Sequence, residues 1–424
     1  MSRPGQRRRA SSVTDALRQV PLNQQAASGS LTPVTPASAS NVSTGGNTEV
    51  KPLPAGPPRV RRSELPEQYE SKGFWGDLKT GRWMLVPSSA FKLMIAFPIL
   101  YAVIEQARKA GYVNDNPIKY LLFLQGELPN GLYTKVWSDL AFVCHHIIFW
   151  SFVRQVVTLH VLRPLAHSLG IRGGKVMRFL EQGYAIFYFT MTSTVGLNVM
   201  SKLPIWWYKT SEFWIGYPHR EIPFQLKLYY LLQASYWLQQ TILLAGKIEK
   251  PRKDFKELVA HHIVTLWLIG WSYNIHLTYI GVAVFLTMDI SDIFLSLAKC
   301  VNYVSEYWSQ FFFAFFVAVW TYFRHYLNIR ILWSVYTEFD LIPASERAVF
   351  KPWQDRWMVW WMKWQIFAPI FLLQLINLFW YFLIWRILIR ALFSDKLADE
   401  RSDDEDEEPS IEAKVKALKG SKAE

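Results

Sequence analysis

Polar and apolar positions are segregated along this chain instead of alternating. Residues 1–86 are rich in Ser, Pro, Thr, Ala and Arg, as in GSLTPVTPASASNVSTGG, and the chain turns polar again after residue 390. Between these ends apolar residues run on for about 20 positions at a time, enough for a helix to cross roughly 30 Å of hydrocarbon. Eight such segments are predicted, near 88–107, 137–161, 180–200, 224–246, 257–274, 277–300, 308–333 and 366–390. A helix in a soluble core seldom needs that length, so the fold class expected is all-α and polytopic in the membrane. Residues 1–86 cannot bury enough apolar surface to offset their chain entropy and are expected to form a disordered tail. Residues 391–424 form a second tail, in which an acidic block precedes a basic one.

Charge sets the orientation. Lys and Arg total 46 against 34 Asp and Glu. Much of the excess lies in the N-terminal tail and in loops beside apolar runs. Topology and anionic headgroups account for it better than nucleic acid does. The tail, the loop carrying Arg163, Arg172, Lys175 and Arg178, and the loop carrying Lys247, Lys250, Arg252, Lys253 and Lys256 fall on one side of an eight-helix chain. That side is expected to be cytosolic, with both termini on it, although the loop at 334–365 is also partly basic. The sequence has no secretory leader pattern at its start, and Asn41-Val-Ser43 matches a glycosylation acceptor on the side that the machinery does not reach. Ser402, followed by six acidic residues, suits acid-directed phosphorylation. Two Trp- and Tyr-dense stretches, LPIWWYKTSEFWIGYPH and FKPWQDRWMVWWMKWQ, are expected to be interfacial belts.

Four residues stand out against the apolar background. His261 and His262 open the fifth segment, and Asp289 and Asp292 lie in the sixth. An Asp near a helix centre in lipid costs roughly 2.5–3.5 kcal/mol on insertion scales, so it normally faces a bundle interior and has a partner. The two aspartates, three apart, share one helix face, and joint ionisation needs a cation or donor between them. The short link from Asn274 to Leu277 makes the two helices antiparallel neighbours and sets the histidines at similar depth, so the imidazoles are expected to fill that role. Consecutive residues point about 100° apart, so one imidazole is central and the other leans in from the side. Only two cysteines exist, Cys144 and Cys300, so no disulfide framework or Cys-based metal site is expected. Nine histidines without HxxxH or HxxHH spacing do not make a diiron set; a single zinc on two His and two Asp is a competing reading, and no metal is expected. Acid–base or nucleophilic catalysis remains: an imidazole moves protons near neutral pH or takes an acyl group and passes it to an amine. His145-His146 is read as core or pore lining.

The stretch from Asp254 to Tyr303, DFKELVAHHIVTLWLIGWSYNIHLTYIGVAVFLTMDISDIFLSLAKCVNY, resembles the Lag motif of ceramide synthases within the TLC domain. KVMRFLEQGY, LKLYYLLQASYWLQQ and TYFRHYLN are similar to other parts of that family, over roughly Arg172 to Arg390. The Ser/Pro-rich tail without a homeobox-like insert is similar to fungal members. The resemblance implies a TLC-domain helical bundle enclosing an intramembrane cavity, with N-terminal membrane helices at 87–171 and a catalytic domain at 172–390. It implies an endoplasmic-reticulum enzyme that joins a fatty acyl group from acyl-CoA to the amine of a sphingoid base, without a further cofactor. His261 and His262 would be catalytic, with Asp289 and Asp292 required. The CoA phosphates are expected at Lys250, Arg252 and Lys253, and Arg324 and His325 are candidate cavity contacts for substrate. The family also implies dimers, with itself or a paralogue, and a small accessory membrane subunit, and it links acyl-length selectivity to the region corresponding to Tyr336–Lys363. The alternatives are a non-catalytic TLC-domain protein in lipid sensing or translocation, which would not need both histidines and both aspartates, and a metal-dependent lipid oxidase.

Overall fold

A computed structural model describes residues 69–246 and 254–393. Asn41, Ser402 and the loop residues Lys250, Arg252 and Lys253 lie outside the described residues.

Long helices coincide with every predicted segment. They are α1 (Pro87–Lys109), α2 (Asp139–Val156), α3 (Lys175–Ser201), α4 (Phe224–Ala245), α5 (Phe255–Asn274), α6 (Thr278–Val304), α7 (Glu306–Trp320) and α8 (Met362–Phe393). Two of them continue through π-helical turns: α2 through Val157–Leu162 into Arg163–Ser168, and α7 through Thr321–Leu327 into Asn328–Thr337. Pro87 sits in the first turn of α1, where its missing N–H costs nothing, and Ser305 caps α7 by accepting from the Trp308 N–H. Among the described residues, four stretches, Pro87–Lys109, Asp139–Ser168, Thr278–Val304 and Met362–Arg390, are long and apolar enough by themselves to cross a membrane. Of the others, α7 is strongly apolar but only 15 residues long before its π-helical turns.

α6 is the axis of the bundle. Every residue from Val282 to Asp289 is buried, as expected for a helix that is apolar all round and covered on all sides. Gly196 lets α3 come close: a Cβ there would stand 2.7 Å from the Tyr229 hydroxyl and 2.9 Å from Leu286. α1 is the opposite case, with Phe91, Ile95, Ile99, Leu100 and Val103 exposed along its length.

Two expectations change. The end of the predicted disordered tail, residues 69–86, is ordered. Phe74–Lys79 forms a short helix, and Tyr69, Met84, Leu85 and Val86 are buried. The buried Asp77 carboxylate accepts from Ser71 Oγ (2.6 Å), Ser89 Oγ (2.7 Å) and the Lys72 N–H (3.0 Å), which fastens this segment to α1. The boundary at 171 is also not a packing boundary. The Trp150 indole of α2 donates to the Leu232 carbonyl of α4 at 3.0 Å, and the buried Lys227 pairs with Asp139 at 2.8 Å.

The aromatic stretches divide. Trp353, Trp360 and Trp364 are exposed, as in a belt, whereas Tyr208, Phe213, Trp214 and Tyr217 are core. Trp214 donates to Ser334 Oγ at 3.2 Å and Tyr217 to the Ile275 carbonyl at 2.8 Å, so the first stretch is mainly a plug for one end of the bundle. At that end Asp355 gathers Lys135 (2.6 Å), His276 (2.5 Å) and Arg220 (3.6 Å) from separate loops.

Candidate active site

The histidine pair lies in the second turn of α5, with both side chains buried. The rings are 5.8 Å apart and nearly perpendicular. Trp237 of α4 presents its ring edge-on to both, at 5.8 Å from His261 and 5.7 Å from His262, and Trp380 of α8 lies 5.3 Å from His261. His262 Nδ1 is 2.8 Å from the Leu258 carbonyl, which calls for an N–H there and leaves the lone pair on Nε2. His261 is freer. Its Nε2 is 3.5 Å from Thr265 Oγ1, and its buried Nδ1 has no partner among the described residues.

Neither histidine is hydrogen-bonded to an aspartate among the described residues, so the expected His–Asp contact is not formed. Asp289 Oδ2 accepts from Gln233 Nε2 at 2.6 Å and from Thr192 Oγ1 at 3.0 Å, while its buried Oδ1 has no partner among the described residues. Gln233 is fixed in turn by Tyr188, whose hydroxyl donates to Oε1 at 2.5 Å. Asp292 pairs with Arg324 at 2.6 Å. A guanidinium was available because the π-helical turns at 321–327 lie against α6, a juxtaposition that spacing within α5 and α6 does not reveal.

Arg324 is fully engaged. It donates to Ser291 Oγ (2.6 Å), Asn377 Oδ1 (3.0 Å) and the Met288 carbonyl (3.4 Å), and it lies over the Trp320 ring at 4.2 Å. It therefore ties α7 and α8 to α6 while still bordering the space beside the histidines. His325 is not at the site. Its Nδ1 meets Gln374 Nε2 at 2.8 Å, and its ring lies 4.2 Å from Tyr381. His145 and His146 pack in α2 against Phe97 (5.2 Å) and Phe142 (3.8 Å), in keeping with a core role.

Two spaces meet at His261. A wider basin of about 270 Å³, where charged side chains of both signs mix with apolar ones, is bordered by His261, His262, Asp292, Arg324, Arg178 and Lys299 among others. It is formed where α3 and α5 begin and where α4, α6 and α8 approach their ends. A narrow slot of about 40 Å³ runs the other way, bordered mostly by apolar side chains together with Asp289. His261 and Trp237 border both spaces. The two aspartates, one turn apart, thus face different spaces and have different partners. Among the described residues no three His, Cys, Asp or Glu side chains come together as a metal-holding group.

Thr192, Tyr188, Gln233, Trp237 and Trp380 also belong to this site, and most of them are not marked out by the sequence. A signal for one of them existed: Gln233 stands in the apolar run YYLLQASYW, where an amide needs a partner as surely as a carboxylate does.

This chain, whose described residues form helices with polar residues gathered around one central helix, matches the TLC domain model of the TRAM, LAG1 and CLN8 proteins over residues 178–386. Among curated proteins, sphingosine N-acyltransferase lac1 of Schizosaccharomyces pombe is 43% identical over 312 residues, covering 71% of this chain and 79% of the relative. Ceramide synthase LAG1 of Saccharomyces cerevisiae is 43% identical over 277 residues, covering 65% and 67%. Ceramide synthase hyl-1 of Caenorhabditis elegans is 27% identical over 240 residues, covering 54% and 61%. The chain belongs to the TLC-domain family of sphingosine N-acyltransferases, the ceramide synthases.

Proposed function

We infer that this protein is an acyl-CoA-dependent ceramide synthase, joining a fatty acyl group to the amine of a sphingoid base in the endoplasmic-reticulum membrane. The observation that carries the reading is the place of His261, on the wall shared by a wide basin with charged side chains and a narrow, mainly apolar slot. An acyl thioester has the same division, with a charged carrier on one side of the carbonyl and a hydrocarbon chain on the other. A non-catalytic TLC protein has no need of an imidazole at that junction.

The proposed chemistry uses His261 as the acyl acceptor. A neutral imidazole nitrogen attacks the thioester carbonyl carbon, the C–S bond breaks, and the thiolate leaves into the basin. The amine then attacks the acyl-imidazole, an amide bond forms, and the C–N bond to imidazole breaks. The amine proton passes to a basic nitrogen, for which His262 Nε2 is free once Nδ1 is bonded to the Leu258 carbonyl. Asp289 supplies negative potential to the slot as the imidazole gains charge. Its Gln233 and Thr192 donors fix its orientation. Asp292 acts through its pair with Arg324, as a positioning group. Walls that exclude water protect the acyl intermediate from hydrolysis.

The proposal includes eight membrane spans, both termini on the cytosolic side, and an intramembrane position for the two spaces. The succession of eight long helices supports it, as do Arg178 and Lys299 at the basin. Carrier phosphates would meet the basin and the basic loop at 247–256. Dimerisation and a small accessory membrane subunit come from the family resemblance and belong to the same proposal.

The test is N-acylation of a sphingoid base by microsomes from cells lacking their own ceramide synthases, with and without the fungal accessory subunit. Wild type should form ceramide and His261→Ala should lose it, with an acyl adduct found by intact mass in wild type alone. Absence of ceramide from well-expressed wild type in both settings would overturn the function. Equal activity in His261→Ala would overturn the site.

A further inference from the structure

The slot is bounded by three antiparallel helices, and all three order its lining in the same way. On α5 the lining runs from His261 to Ser272, on α6 from Asp289 back to Ile280, and on α4 from Trp237 back to Tyr230. One end is therefore the candidate catalytic junction, and the other is a floor made by Tyr230, Ser272 and Gly281. Eleven residues of α5 between His261 and Ser272 span about 16 Å at the helical rise, and nine residues of α6 span about 14 Å. The lining of the slot thus runs from His261 at one end to Tyr230, Ser272 and Gly281 at the other, with mostly apolar side chains between them.

The floor is built, not incidental. The Tyr230 hydroxyl and Ser272 Oγ are hydrogen-bonded across the gap between α4 and α5, and Ser272 also donates to the Ile269 carbonyl at 3.2 Å. Tyr230 is fully buried and stacks on Tyr273 at 5.5 Å. Gly281 gives it room: a Cβ there would lie 2.1 Å from the Tyr230 hydroxyl and 2.6 Å from its ring. A side chain of any size on α6 at this position would displace the phenol at this end of the slot.

We propose that Tyr230, latched to Ser272 and seated on Gly281, sets the longest acyl chain that this protein accepts. The inference rests on the proposed acyl transfer at His261. With the carbonyl fixed at one end, chain carbons fill the slot toward the floor, and a chain too long for it meets the phenol before its carbonyl reaches the imidazole. One methylene fitted or refused in an apolar pocket changes selectivity about 10–200-fold, so a floor that moves by a side chain's depth changes the product profile clearly.

The experiment is ceramide formation by the full-length protein in deficient microsomes with a panel of acyl-CoA lengths, the profile being read as ratios within each variant. Tyr230→Ala, which removes the floor, should raise the ratio of longer-chain to normally preferred product by about tenfold or more. Leu268→Phe, which fills the slot part-way along, should move the profile toward shorter chains. Ser272→Ala, which releases the latch while keeping the phenol, should move it toward longer chains by less than Tyr230→Ala does. Detergent-solubilised melting curves identify any variant that fails to fold, and the remaining two then decide. An active wild type with unchanged profiles in the folded variants overturns this inference and leaves the acyl transfer standing. A wild type inactive with every chain overturns the reading beneath it.

Discussion

Replacing Arg324 by Met separates the structural from the chemical part of this site. The substitution keeps length and apolar volume but removes the partner of Asp292 at 2.6 Å, the donors to Ser291 and Asn377, and the cation over Trp320. Breaking a buried pair by removing one member costs about 3–5 kcal/mol, chiefly because the other charge is stranded. Asp292 keeps a side-chain exposure of 17% through the basin, which relieves part of that cost and places the expected loss at the lower end of the range. A loss of about 3 kcal/mol in a helical body of this size lowers the unfolding midpoint by several degrees. Asp292→Asn in the same chain removes the stranded carboxylate, so the double variant should recover most of the midpoint. The assay is thermal unfolding in detergent, followed by tryptophan fluorescence, for both single variants and the double. Ceramide formation is measured alongside. If Asp292 works only through Arg324, the double variant regains activity together with stability. A single variant that melts with wild type would refute the pairing argument, and a stable but inactive double variant would refute the positioning role.

Two further outcomes follow from the same geometry. Asp289→Asn keeps an acceptor for Gln233 and Thr192 but removes the charge, so it should fold normally while kcat falls about 10²–10³-fold; Gln233→Leu should lower kcat with less effect on KM, and wild-type rates in either would exclude the polar chain from catalysis. At the other end, burial and the nearby Lys135 charge push His276 down to about 4, while Asp355, which burial alone would raise, is held at about 2 by Lys135, Trp357 and His276. Both groups have lower values folded than unfolded, so both contributions are present at neutral pH and are lost on acidification, His276's between about 6.5 and 4 and Asp355's between about 4 and 2. His276→Asn, which tolerates the local φ of 62°, should flatten the fall of the unfolding midpoint between pH 6.5 and 4; an unchanged slope would remove His276 from the account.

Helix positions were legible because a bilayer demands length and apolarity, and both are written locally. The Pro87 start of α1 and the 274–277 link between α5 and α6 could be placed within a few residues. The ordered segment at 69–86 was not legible, since its stability comes from one carboxylate, Asp77, meeting Ser89 in the next helix. The four site residues stood out through the cost of their burial, but their partners did not. Short-range reasoning paired the histidines with the aspartates because α5 and α6 are joined by a tight link. Arg324, some thirty residues beyond Asp292, satisfied it instead. The π-helical turns that carry Arg324 have no pattern in the sequence from which its direction could be read.

Two carboxylates one turn apart in an apolar helix repel each other, and the chain resolves this by giving them unlike partners. Asp292 receives a full cation, so its pair adds no net charge to the basin side. Asp289 receives only neutral donors, an amide and a hydroxyl, and its Oδ1 has no partner among the described residues. A second guanidinium at Asp289 would have neutralised the slot permanently. With neutral donors, Asp289 can still answer a positive charge that arises nearby, such as the one that the proposed acyl transfer would place on the imidazole. The division also explains why His261 needs no hydrogen-bonded carboxylate of its own. A direct bond would fix one ring nitrogen and hold the imidazole toward α6, whereas an imidazole held edge-on between Trp237 and Trp380 stays at the mouth where basin and slot meet.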